Sequence, residues 1–154
     1  MKQNNNLKIV RLIIIFTFLL VTSITSGQTK TISGKIIDEN LTDVALAKIQ
    51  TDDSSFFATS EFNGRFKIEV SINTKSLLIS SVGFERARIN LPDTCNQLDI
   101  ILMSNVTYDY ISLKKVDKFR MKRFKELPKI HMTAFQKGIF TTDKSCYTQR
   151  FISN

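Results

Sequence analysis

Between residues 31 and 103 the apolar positions recur every second residue, not every 3.6, which is the periodicity of strands with one buried face. Seven short runs of this kind are legible: 31–37, 44–51, 56–60, 65–70, 77–82, 84–91 and 98–103. The run at 65–70 is the clearest, with Phe66, Ile68 and Val70 on one side and Arg65, Lys67 and Glu69 on the other. Polar turns separate the runs, at 38–43, 52–55, 61–64 and Pro92-Asp93. Asn63-Gly64 is a strong short hairpin signal, because both residues accept positive φ at low cost. It reads as the bend that feeds the fourth strand rather than as a phosphate cradle, which would need more glycines and a following helix. Seven strands at this spacing, with no helix between them, predict a mainly β fold: a seven-stranded antiparallel β-sandwich.

After Tyr110 the period changes. Projected at 100° per residue, 112–127 forms a helix with Leu113, Val116, Phe124 and Leu127 on one side. Lys114, Lys115, Lys118, Lys122 and Lys125 gather on the other, and Arg120 breaks the apolar stripe. Pro128 interrupts or ends this helix, and 129–137 forms a second short one closed by Gly138. Residues 139–154 carry no clear period, and Phe135, Phe140, Tyr147 and Phe151 read as packing residues. The expected tail is thus a short basic α-helical segment.

The beginning of the chain bears on compartment. Lys2, Lys8 and Arg11 precede an apolar run at 12–21, and small polar residues at 22–27 follow. That order is the pattern of a secretory signal peptide cleaved after Gly27; an uncleaved N-terminal membrane anchor is the alternative. The expected layout is a signal peptide over 1–27, a β-sandwich over 28–104 and a basic helical tail over 105–154.

Charge is unevenly spread. The chain carries a net +8. Residues 28–111 hold 8 basic and 11 acidic side chains, whereas 112–154 hold 11 basic and 3 acidic. A mildly acidic body therefore ends in a strongly basic tail. In an oxidising compartment the two cysteines, Cys95 and Cys146, can form a disulfide, although sequence alone leaves two unpaired thiols equally open.

The sequence carries no recognisable residue set for catalysis. His131 is the single histidine and no metal-ligand spacing surrounds it, so a surface or partly packed role is expected. There is no Cys-x-x-Cys, no Gly-x-Ser-x-Gly and no phosphate loop. The acidic turn at 38–43 lacks the glycine and distal glutamate of a calcium loop. No catalytic residue, cofactor or metal is expected, and the chain reads as a non-enzyme.

Four stretches carry a resemblance: Ile32-Ser33-Gly34-Lys35-Ile36-Ile37-Asp38, Ala47-Lys48-Ile49 after Val44, Ser60-Glu61-Phe62-Asn63-Gly64-Arg65-Phe66, and Ile79-Ser80-Ser81-Val82-Gly83-Phe84-Glu85. In this order they resemble the carboxypeptidase-like regulatory domain, a transthyretin-like (prealbumin-like) β-sandwich of envelope proteins in Bacteroidetes-type bacteria. The departures are Ser60-Glu61 for the usual Thr-Asp, Phe84 for the usual Tyr, no glycine in the Asp38–Val44 turn and no proline directly before Val44. The resemblance implies a fold and a place, the periplasm or outer membrane, but no reaction. The function expected is that of an exported envelope protein whose sandwich is a structural or protein-interaction module. Its alternatives are a cell-wall glycan-binding module, or an accessory domain of an envelope hydrolase or transport system. The lysine face reads first as a solvated face whose apolar side packs on the sandwich; its candidate partners are an acidic envelope protein, anionic lipid or an acidic glycan, and nucleic acid is not expected in this compartment.

Overall fold

A computed structural model describes Arg11 and residues 28–153. The expected signal segment, Arg11 apart, lies outside the described residues. No helix among those described is long and apolar enough to cross a membrane.

The described chain is mainly β, with two sheets and one long helix. Its strands are β1 (Thr29–Asp38), β2 (Lys48–Thr51), β3 (Phe57–Thr59), β4 (Arg65–Ser71), β5 (Ser76–Ser80), β6 (Ala87–Asn90) and β7 (Gln97–Leu102). The helix α1 (Leu113–Gln136) follows, and then β8 (Thr148–Arg150). The first sheet has the order β4-β1-β7, the second β3-β2-β5-β6-β8.

Alternation builds the core. Ile32 and Ile36 from β1, Phe66, Ile68 and Val70 from β4, and Leu98, Ile100 and Leu102 from β7 face the interior. Ile49, Leu77, Ile79 and Ile89 meet them from the second sheet. Each such side chain, fully buried, contributes about 1.5–3 kcal/mol. The outward residues of β4, Arg65, Lys67 and Glu69, are exposed, as their alternation requires.

Three expectations are corrected. First, the strands are not all antiparallel: β1 pairs antiparallel with β4 but parallel with β7, from Ser33 opposite Gln97 to Asp38 opposite Leu102. A period of two fixes which side chains face inward and is blind to strand direction. Second, eight strands are described rather than seven, because Thr148–Arg150 pairs with β6. Three residues are too short to show a period. Third, the basic tail is neither short nor broken at Pro128. One 24-residue helix runs through the proline, which lies on the exposed side. There, solvent can satisfy the carbonyl that the missing N–H leaves free. Gly138, with φ +70°, follows the helix end.

The bend at 61–64 is real but does not join paired strands. β3 belongs to the second sheet and β4 to the first, so the turn carries the chain from one sheet to the other. The Glu61 amide donates to the Arg65 carbonyl, the Gly64 amide to the Glu61 carbonyl, and the Arg65 amide to Asn63 Oδ1. The Gly64 carbonyl accepts from the Ile36 amide at 2.8 Å. Gly64 has φ +74°, and a Cβ there would run into the Ile36 carbonyl. Glycine is therefore demanded twice at this corner.

Candidate functional site

The outer face of the first sheet is covered by α1 and the segment after it. Ile37 on β1, Ile101 on β7 and Met103 just beyond it turn away from the main core. They pack with Leu127, Ala134 and Phe140, with Phe124 and Ile130 partly buried beside them. Phe124, Leu127, His131 and Ala134 recur three, four and three residues apart, which places them on one helix stripe. His131 is therefore buried, 5% exposed, and not a surface residue. The signal was in the sequence: it appears once the apolar stripe is continued through Pro128. Two other packing expectations fail. Leu113, in the first turn, is 66% exposed, and Phe135 lies on the exposed side near the helix end.

The basic residues of the helix divide into two classes. Arg120 and Arg123 turn toward the sheets. Arg120 donates to both carboxylate oxygens of Glu85, at 3.0 and 2.8 Å, to Asp117 at 2.7 Å and to the Ile152 carbonyl at 3.0 Å. Its guanidinium also lies 5.2 Å from the Phe151 ring centroid. Arg123 binds both oxygens of Glu39 and donates to the Ser104 carbonyl at 2.9 Å. The hydrogen bonds that Arg120 donates to Glu85 and Arg123 donates to Glu39 raise the pKa of each arginine, against the desolvation that lowers it. These planar, two-toothed pairs fasten the helix to the loops around it. The arginine that breaks the stripe is thus its anchor. Glu39, in the acidic turn, is an anchor too, and Asp38 Oδ1 accepts the Asn40 and Thr42 amides, which closes that turn on itself.

The lysines behave differently. Lys114, Lys115, Lys118, Lys122 and Lys125 all project to solvent. Because the helix continues, Lys129 extends the same exposed face by one more turn.

A cavity of about 440 Å³ lies between the helix, β7 and the chain from Asp143 onward. Ile101, Phe124, Leu127 and Met132 supply apolar walls, and Asp143 and Lys144 are among its polar lining residues. His131 also lines it; its ring nitrogens are shielded from solvent, and the Asp143 backbone is the hydrogen-bonding group that acts on the ring. Burial pushes its pKa down; the charge of Asp99, the Asp143 backbone and the Asp143 charge oppose this without overcoming it. Its ring sits 4.8 Å from that of Phe140.

Asp99 is the other buried polar group here, 2% exposed on the outer face of β7. Its Oδ2 accepts from the Thr141 amide at 2.9 Å and hydroxyl at 3.0 Å, and from the Thr142 amide at 3.3 Å. Tyr147 donates to the Asp99 carbonyl at 2.7 Å, and burial raises the pKa of its phenol. Cys95 and Cys146 are joined by a disulfide with a Cα–Cα distance of 5.6 Å. Asp99, Tyr147 and the disulfide together hold residues 141–147 against β7, so the cavity has a fixed outer wall.

Among the described residues no group of three or more His, Cys, Asp or Glu is placed to hold a metal ion. No family model matches the chain, and no curated protein matches it.

Proposed function

We propose that this protein is a non-enzymatic, exported envelope module that works by binding an acidic protein partner along the lysine face of α1. The observation that carries the reading is the division of basic residues on that helix. Arginines are committed to internal carboxylates, and a continuous row of lysines is left to solvent on a rigidly held element. A row of like charges on a fixed helix raises the encounter rate with an oppositely charged surface and sets its orientation. The likeness to carboxypeptidase-like regulatory β-sandwiches, the leader pattern before Gln28 and the oxidised cysteine pair support a place outside the cytoplasm. The sandwich then serves as the scaffold, and chemistry belongs to its partner.

Crosslinking in intact envelopes, compared between the wild-type chain and Lys118→Glu/Lys122→Glu/Lys125→Glu, tests this. The expected result is one acidic envelope protein captured by the wild type, lost in the triple variant and weakened by raised salt. Equal capture by both proteins overturns the reading. Loss of lipid or glycan binding instead, with no protein captured, transfers the lysine face to those partners.

A further inference from the structure

We propose that the groove between β6, the chain at 105–106 and the first turns of α1 is a binding site for a small organic anion, a molecule with an oxyanion head and an apolar body. The groove offers about 510 Å³, within the range of about 300–1,000 Å³ usual for small-molecule sites. Leu78, Phe84, Val106, Val116 and Ile152 supply its apolar surface, and Arg86, Arg88 and Asn105 add polar groups.

Charge selects the head. Among the described lining residues Glu85 is the one acid, and Arg120 takes both of its oxygens. Arg120 is thereby committed, but Arg86 is not. Its side chain is exposed at the groove, with no ion pair or hydrogen bond among the described residues. Arg88, two residues on, lines the same groove and shares its charge with Asp52 at 3.4 Å. Across the β6–β8 pair Arg150 stands directly opposite Arg88, and it too has no ion pair among the described residues. Like charges set directly opposite on neighbouring strands destabilise a sheet. An anion held among these arginines turns that repulsion into attraction. Guanidinium forks match the paired oxygens of a carboxylate or phosphate. The apolar surface then holds the body of the molecule, which a bare inorganic ion lacks.

These arginines belong to the second sheet and lie outside the lysine face, so the site does not depend on the protein-partner reading. Its test titrates the full chain with octyl phosphate below its micelle concentration, with 1-octanol as the body alone and inorganic phosphate as the head alone. Calorimetry reads the affinity, and amide NMR reads the place. The expected result is saturable binding of octyl phosphate about tenfold or more tighter than either fragment, weakened by raised salt. The amide signals of 84–90 and 105–106 should move with it. Arg86→Gln should weaken binding about tenfold, and Arg86→Lys less, because the charge remains. Arg86 leaves no partner stranded, so both variants should keep the wild-type melting temperature. Val106→Glu, at an exposed position, should also fold and should repel the head, with a loss of about tenfold or more. The proposal is overturned if Arg86→Gln binds octyl phosphate as well as the wild type does, or if 1-octanol or inorganic phosphate matches the ester. Binding to phosphatidate vesicles without binding to the monomeric ester also overturns it, and assigns the arginines to a lipid surface.

Discussion

His131 is where burial, charge and stability meet in one side chain. It is held neutral by desolvation, so its folded-state pKa lies below the ordinary value of 6.5. Below that ordinary value the unfolded chain binds a proton that the native state refuses. Stability is therefore full above it and is lost as pH falls toward the folded pKa. The groups facing the ring, Asp99 and Asp143 on the sheet and tail side, reduce the loss without reversing it. The melting temperature should fall between pH 7.5 and pH 5.5, and His131→Leu should flatten that slope. An equal slope in the variant would place the titration elsewhere. Gly64 makes a second claim at this scale. Gly64→Ala combines a positive φ with a collision against the Ile36 carbonyl, and should cost ~2–4 kcal/mol in urea unfolding. Gly138→Ala, with positive φ but open space, should cost about 1 kcal/mol. Similar losses at both sites would show that the corner between the sheets is looser than its hydrogen bonds indicate.

At the scale of elements, the helix teaches what a one-dimensional pattern conveys. The inward positions of β1, β4 and β7 were legible because alternation is local and each strand obeys it alone. The length of α1 was not, because a proline within the stripe signals an interruption or an end, whereas its exposed setting allows the helix to pass. That single break hid the continuation of the stripe to His131 and Ala134, and of the lysine face to Lys129. Arg120 was legible only as an interruption, since its partner Glu85 stands 35 residues earlier. Both side chains of the pair are about 10% exposed. Removing one charge from such a pair strands the other, so Arg120→Met and Glu85→Gln should each destabilise, the former by about 3–5 kcal/mol. Arg120→Met with Glu85→Gln should recover much of that loss, because neither partner then carries an unpaired charge. Chemical denaturation of the two singles and the double variant gives the coupling directly. Additive losses would mean that Arg120 works through Asp117, Ile152 and Phe151 rather than through Glu85.

At the scale of the whole molecule, β8 and the disulfide show how the tail becomes part of the fold. β8 covers the β6 edge of the second sheet while α1 covers the outer face of the first, so the chain after Tyr110 touches both sheets. Nothing in 139–154 announces this by periodicity. The pairing is set by long-range closure, and the cysteines mark it, with Cys95 just before β7 and Cys146 just before β8. The bridge spans a sequence separation of 51, for which chain entropy gives an upper figure of about 4 kcal/mol. Cys95→Ser/Cys146→Ser should therefore lower stability by about 2–4 kcal/mol, without unfolding the main core, whose residues lie almost wholly before α1. The loss should also be local. β8 is three residues long and pairs on one side, so the amides of β8 and of 141–147 should exchange with solvent first, and those of β1 and β4 last. Uniform acceleration of exchange across both sheets would contradict this, and would make the bridge a staple of the whole fold rather than the pin of one wall.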